Sequence, residues 1–594
     1  MRLRTSLGVA SACASVASAA LKVTEDNSTI TLANDRLTST FAKDKGRVSE
    51  LFLDGQDLLG PISGNTGVGP YLDCYCIPSG FYTAGSTDPR LEVVQGTDST
   101  GTKYAGVILN DTYTPTGQQF QQYWFLRDGE TGLHTFSRLA YYNETTPFLR
   151  NLQEFRTLFR PNTELWTHLT SSEAQTAPLP SKEAIANEGP LHSDLTVDGI
   201  VYNYLVSNHH GEGTPNITNG FDRTFGPQYY LFNGGKGSES SLEDLRSEAE
   251  TLADPGWNAD FYDSIAKHVI GYAPSSKRGS VQGQVKLPKG STRPIAILTV
   301  DGQYFQDNSV EASSHQYWAE MGQDGTFQLD HVKEDKYRLT VFADGIFGDF
   351  VHDGVEVQAG KATKVQETWE QESAGVEVWR LGTPDKSSGE FLHGDAPDPT
   401  HPLHPPQHFI YWGAYDWQQD FPNGVNYTIG SSDPAVDFNT VHWSVYGPTP
   451  ENPDVEYDTT HDWTINFSLD KKQLQQRKTA TLTIQLAGAK TAAGNTDVYN
   501  ATEPYANLAL ESYINEQKEP LTLLVGFNQS SSCIVRSAVS CYQVRSRMEF
   551  PADWLNVGNN VLTLHLPRNA TDYETAVLPG TVYVQYDALR LELA

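Results

Sequence analysis

The stretch "TVYVQYDALRLEL" (residues 581–593) alternates apolar and polar side chains at the two-residue period of a β-strand. The same rhythm runs through "STITLANDRLTSTFAK" (28–43) and "YQVRSRMEF" (542–550), and Gly, Asn, Asp and Pro break up such runs along most of the chain. Helical patterns are few. The clearest, "SLEDLRSEAETLAD" (241–254), sets Leu242, Leu245, Ala249 and Leu252 near a three-to-four spacing with acidic residues early. Such a chain is all-β and built from successive sandwiches.

Its length of 594 residues calls for roughly two to four domains, each with its own core. The Pro/Ser linker "YAPSSKRGS" (272–280) precedes "VQGQVKLP", "DGTFQLDHVKEDKYRLTVFADG" and "DGVEVQAGKATKV", the rhythm of a sandwich of about seven or eight strands. A second break is "GDAPDPTHPLHPPQH" (394–408), with Trp412, Trp417 and Trp443 ahead of further strands. The division is a leader at 1–20, a large module at 21–272, a small one at 273–372 and a jelly-roll-like one at 373–594.

The leader "MRLRTSLGVASACASVASAALKV" places Arg2 and Arg4 before a stretch of apolar and small residues and ends in Ala17-Ser18-Ala19, an A-x-A cleavage site. No later stretch is long and apolar enough for a bilayer span, so a secreted, extracellular protein without a membrane partner is expected. Nine N-x-S/T sequons, at Asn27, Asn110, Asn143, Asn216, Asn426, Asn466, Asn500, Asn528 and Asn569, fit a glycoprotein. Cys533 and Cys541 flank "IVRSAVS" and would close a hairpin-like loop with a disulfide, whereas the pairing of Cys74 and Cys76, two residues apart, stays open. No Cys/His spacing resembles a zinc site, and no metal ligand is assigned. A net charge of −31 without any Lys/Arg-rich block argues against a nucleic-acid partner.

No G-x-S-x-G elbow, Walker loop, dinucleotide fingerprint or H-E-x-x-H is present. The richest polar cluster is "VYNYLVSNHHGEGTPNITNGFDRTFGPQYYLFNGG" (201–235). There His209 and His210 follow a strand carrying Tyr202 and Tyr204 and enter a Gly/Asn-rich loop that Asp222, Arg223, Tyr229 and Tyr230 close. Histidines so placed serve as acid, base or substrate contact, or belong to a surface loop that binds nothing. "FLRNLQEFRTLFRPN" (148–162) carries Arg150, Arg156 and Arg160. Planar guanidinium forks suit a carboxylate-bearing substrate or neutralise the protein's own acidic surface. Trp412, Tyr415 and Trp417 stack on sugar rings or fill a core.

The stretches "GLHTFSRLAYYNETTPFLRNLQEFRTLFRPN", "GPLHSDLTVDGIVYNYLVSNHHGEGTPNITNGFDRTFGPQYYLFNGGKG" and "WRLGTPDKSSGEF" resemble the fungal rhamnogalacturonan lyases of polysaccharide lyase family four. The resemblance covers essentially the whole chain after the leader. It implies a β-sandwich catalytic domain, a fibronectin-III-like domain and a carbohydrate-binding jelly roll. The implied reaction is β-elimination at the α-1,4 bond from rhamnose to O4 of galacturonate in rhamnogalacturonan I, a pectin polysaccharide. Arg156, Arg160, Tyr229 and Tyr230 become the candidate substrate contacts. A monomer is expected, no cofactor is required, and a calcium ion, where bound, is structural.

One departure from the family lies in "SKEAIANEGPLHSDLTVDG" (181–199). In the family, "PLPSKEAIA" continues for several dozen residues before "GGPLHSDLTVDG", and that stretch carries a lysine in a K-Y-x-x-S-type strand and a histidine in a V-H-G strand, the pair assigned as catalytic. Neither pattern occurs between Glu183 and Gly189. The residues near 186–190 are therefore a join from which strands of a sandwich are missing, and His209 and His210 are the catalytic candidates that remain. The join reflects either a stretch lost from the coding sequence or a paralogue that binds pectin without cleaving it.

Overall fold

The computed structural model describes residues 21–594 apart from 61–66, 163, 167, 173–174, 179–200, 208–212, 235–239, 255, 311–312, 395–419, 447–457, 460, 492–506, 532, 534–540 and 568–581. The leader, the join at 186–190, His209, His210, Trp412, Tyr415, Trp417, Asn500 and Asn569 thus lie outside the described residues. Among the described residues no helix is long and apolar enough to cross a membrane.

The first module is built on three antiparallel sheets. One joins the strands from Lys22–Glu25 to Gln56–Asp57 in chain order, and another runs Phe221–Leu231, Gly132–Tyr141, Gln118–Arg127, Lys103–Tyr113, Arg90–Thr97. The third runs Val201–Ser207, Glu154–Arg160, Val68–Ile77, Gly80–Thr83. Their inner faces share one core, with Phe41, Trp124, Phe120, Phe155 and Phe221 buried in it. The Cys74–Cys76 disulfide lies in this core: both residues point inward because they are two apart on a strand. In the second sheet all ten residues of Gly132–Tyr141 are buried. Helix Ala259–Ile265 lays Phe261, Tyr262 and Ile265 over the sheet's other face, against Tyr104, Phe125 and Phe136, so both sides of the strand are covered.

Helix Leu242–Glu250 starts at a capping box in which Ser241 and Asp244 satisfy each other's backbone N–H groups. Its apolar stripe packs loosely, with none of its residues buried. The region after the histidine loop also differs from the loop closure expected for 222–230: Phe221–Leu231 is a continuous strand paired with Gly132–Tyr141.

The middle module is a sandwich of a three-stranded and a four-stranded sheet around Val281, Leu298, Tyr337, Leu339 and Trp369. The last module packs two five-stranded sheets around Trp379, Phe438, Trp463, Phe467 and Leu591. Trp443 is buried here against Tyr583. Cys533 Sγ and Cys541 Sγ are 2.00 Å apart. The sheet containing Tyr583–Leu593 presents a polar outer face, yet Thr483, Gln485, Asp587, Arg590 and Glu592 on it are buried. The middle module and the segment joining it to the last one cover that face. Phe347 sits under the guanidinium groups of Arg590 and Arg380, at 4.4 and 5.1 Å, and Arg545 and Arg547 both pair with Glu372. Gly348 is required at this joint: its φ is +86°, and a Cβ there would strike Arg545. Phe347→Ala should lower stability by about 3–5 kcal/mol, the cost of emptying a buried aromatic site. Calorimetry should show it as separation of the middle and last modules' unfolding, and an unchanged trace would refute the docking role.

Candidate active site

The arginine-bearing stretch forms the strand Glu154–Arg160 at the centre of the third sheet. Register sets Arg156 opposite Asp73 on one side and Tyr204 on the other, and sets Glu154 opposite Tyr75, which in turn faces Phe81. Residues opposite one another, or two apart, share a face. Asp73, Tyr75, Phe81, Glu154, Arg156 and Tyr204 therefore converge on the outer face, while Cys74, Phe155 and Phe159 point into the core.

Arg156 is held on both sides: Nε donates to Asp73 Oδ1 at 2.5 Å and Nη1 to Glu154 Oε2 at 2.5 Å. Its guanidinium lies 5.7 Å from the Tyr204 ring centroid and 5.9 and 6.0 Å from those of Tyr75 and Phe81. Tyr75 and Phe81 meet edge to face at 5.5 Å and remain 38% and 47% exposed. Arg160 extends the row, its Nε donating to the Tyr71 hydroxyl at 2.8 Å. Burial opposes the charge of Arg156, but Asp73 and Glu154 outweigh it and its pKa is raised.

Burial pushes the Asp73 carboxyl up to about 6, against the pull of Arg156. In the unfolded chain the same group ionises near 3.8. Its contribution to stability is therefore complete below about pH 4, declines as pH rises to about 6 and is level beyond, a loss of about 2–4 kcal/mol. Asp73→Asn should flatten that part of the stability-versus-pH curve, measured by urea unfolding at several pH values. An unaltered slope in the variant would assign the effect elsewhere.

Tyr229 and Tyr230, both proposed as substrate contacts, stand apart from this face. Being adjacent on one strand, they point in opposite directions. Tyr230 reaches inward, its hydroxyl 2.6 Å from Thr157 Oγ1. Tyr229 packs on the far side of its sheet, 4.4 Å from the His134 ring. His134 is itself buried, with Nε2 2.6 Å from Glu130 and Nδ1 2.8 Å from the Tyr262 hydroxyl. Arg150 also leaves the row, donating to the backbone of Ile77. Beyond the histidine loop, Gly213 O accepts from Ser309 Oγ of the middle module at 3.1 Å, and Arg223 donates to Ser309 O at 3.1 Å. Among the described residues, no group of three or more His, Cys, Asp or Glu could hold a metal. Asp73, Tyr75, Phe81 and Glu154 carry no motif of their own, and only strand register brings them to Arg156.

Comparison with known proteins gives this geometry its family. Residues 288–365 match the description "Polysaccharide lyase family 4, domain II" and residues 377–591 match "Polysaccharide lyase family 4, domain III". The chain is similar to "Probable rhamnogalacturonate lyase B" of Aspergillus flavus (89% identity) and of Aspergillus terreus (72%), each over 663 aligned positions, and to "Rhamnogalacturonate lyase B" of Emericella nidulans (66%) over 662. In each case the whole of both chains is covered. The 663 aligned positions exceed the 594 residues of this chain by 69, so at least 69 positions are filled by the Aspergillus flavus protein alone. Since 594 matches in 663 positions would give just under 90%, the 89% observed means that nearly every residue this chain retains is shared. The chain belongs to polysaccharide lyase family 4.

Proposed function

We propose that the protein is a secreted rhamnogalacturonan lyase acting on rhamnogalacturonan I. A base removes the C5 proton of galacturonate, the C4–O4 bond breaks, O4 departs with rhamnose, and a C4–C5 double bond remains on the uronate. The observation that carries this reading is full-length similarity, at 66–89% identity, to proteins with a rhamnogalacturonate lyase name. The same similarity disfavours a paralogue that only binds pectin.

The C5 proton is weakly acidic while the uronate carboxylate is charged, so a cation must offset the charge that develops on that carboxylate. Arg156 and Arg160 are the cations of the candidate face, and the Tyr75–Phe81 platform supports a neighbouring ring. The resemblance assigns base and acid to a stretch that we read as missing at the join near 186–190, and within the chain His209 and His210 are the candidates. Arginine performs the neutralisation, so no metal is required. The protein is a monomeric glycoprotein with an oxidised Cys533–Cys541 pair.

Incubation with rhamnogalacturonan I, following the ultraviolet absorbance of the C4–C5 double bond, tests the reading. A lyase produces that absorbance. Reducing ends without it would make the protein a hydrolase and overturn the proposal.

A further inference from the structure

The geometry points to one N-linked glycan on the exposed sheet of the last module, carried by Asn426 and not by its neighbour Asn466. This rests on the reading of the protein as secreted. Both asparagines open a sequon, Asn426-Tyr427-Thr428 and Asn466-Phe467-Ser468. Parallel pairing of Asn426–Thr428 with Trp463–Leu469 sets Asn426 opposite Thr464 and Thr428 opposite Asn466. Tyr427, Ile465 and Phe467 point into the core, so the two asparagine side chains share the outer face. Their amide groups are in direct contact, with Asn466 Nδ2 2.6 Å from Asn426 Oδ1.

The amide atoms decide which residue carries it. Asn466 Nδ2 donates twice, to Asn426 Oδ1 at 2.6 Å and to Tyr427 O at 3.1 Å. Glycan transfer from a lipid-linked oligosaccharide diphosphate forms a bond from the sugar C1 to Nδ2, breaks the C1–O bond to the diphosphate, and releases the lipid diphosphate and one amide proton. A glycosylated Asn466 would keep one N–H and forfeit one of its two hydrogen bonds. Asn426 uses its other atom. Its Oδ1 accepts from Asn466 Nδ2 and, at 3.1 Å, from Thr464 Oγ1, while its Nδ2 donates to no described residue and its side chain is exposed. A sugar on Asn426 Nδ2 therefore leaves every one of these bonds in place. Asn216 shows the same arrangement: its Oδ1 accepts from Asn151 Nδ2 at 2.9 Å. Because transfer precedes folding, a chain modified at Asn466 must fold around the lost bond, and secretion favours chains modified at Asn426.

The test is glycopeptide mass mapping of the full chain secreted from a filamentous fungus. Thr428→Ala and Ser468→Ala each remove one sequon, at an exposed position, without altering either asparagine. Asn426 should be occupied and Asn466 bare in the parent. Ser468→Ala should leave the glycan mass unchanged, and Thr428→Ala should remove one glycan without moving it to Asn466. Occupancy of Asn466 in the parent or in Thr428→Ala overturns the proposal. So does a bare Asn426 in a protein glycosylated at Asn27, Asn216 or Asn528. A secreted chain bare at every sequon would instead overturn the glycoprotein reading, and this inference with it.

Discussion

Insertion between Glu183 and Gly189 of the stretch that the relatives carry is expected to raise the rate of β-elimination by about 10²–10⁴-fold over that of the 594-residue chain, the range contributed by positioned acid–base groups. The measurement is the initial rate of C4–C5 double-bond absorbance on rhamnogalacturonan I at saturating substrate. The arginine face already occupies a strand paired on both sides, and nearly every retained residue is shared with the Aspergillus flavus protein. On the proposed reading, Arg156 and Arg160 contact the substrate, and the inserted stretch would add the groups for proton transfer. The gain should fall on kcat rather than KM, since the missing groups act on the reacting proton. A 594-residue chain that equals the inserted form would place base and acid within its own residues. Separate alanine substitutions at His209 and His210 would then locate them.

Arg156→Ala should destabilise the first module by about 3–5 kcal/mol, the cost of leaving buried charges without their partner. Asp73 is 2% exposed and Glu154 4% exposed, and both hydrogen-bond to the one guanidinium. Arg156→Lys should recover only part of the loss, because an ammonium cannot present two N–H groups in a fixed fork. Combining Arg156→Ala with Asp73→Asn should restore stability relative to Arg156→Ala alone, since one orphaned charge is removed. Thermal unfolding of the parent, Arg156→Ala, Asp73→Asn and the double variant measures the coupling. An Arg156→Ala variant within about 1 kcal/mol of the parent would mean that water compensates the carboxylates, as at an exposed ion pair.

The all-β character was legible because strand alternation is a local signal. "STITLANDRLTSTFAK" contains the strands Thr29–Ala33 and Leu37–Ala42, and Tyr583–Leu593 lies within the stretch that alternates at 581–593. In that stretch the apolar phase moves from Val582, Val584 and Tyr586 to Leu589, Leu591 and Leu593, and the pairing with Thr479–Lys490 is irregular where Leu486 meets Tyr586. The helix at 241–254 was legible from its three-to-four apolar spacing and early acidic residues, whereas the second helix, Ala259–Ile265, is only seven residues long and is fixed by the aromatic face it covers. At the site, Arg150, Arg156 and Arg160 stood out because three guanidinium forks within one short stretch suit a carboxylate-bearing substrate. Their partners did not: Asp73 is 83 residues away from Arg156 along the chain and reaches it only through register, which long loops and bulges determine. Tyr229 and Tyr230 became candidate contacts with the family resemblance, yet adjacency on a strand puts their side chains on opposite faces.

The joint around Phe347 fixes the last module as an outrigger on the middle one. On the reading that the last module binds polysaccharide, a polymer held there is not spread over the volume that a flexible tether would sweep. On that same reading, polymers long enough to reach the first module as well gain avidity, and shorter oligosaccharides do not.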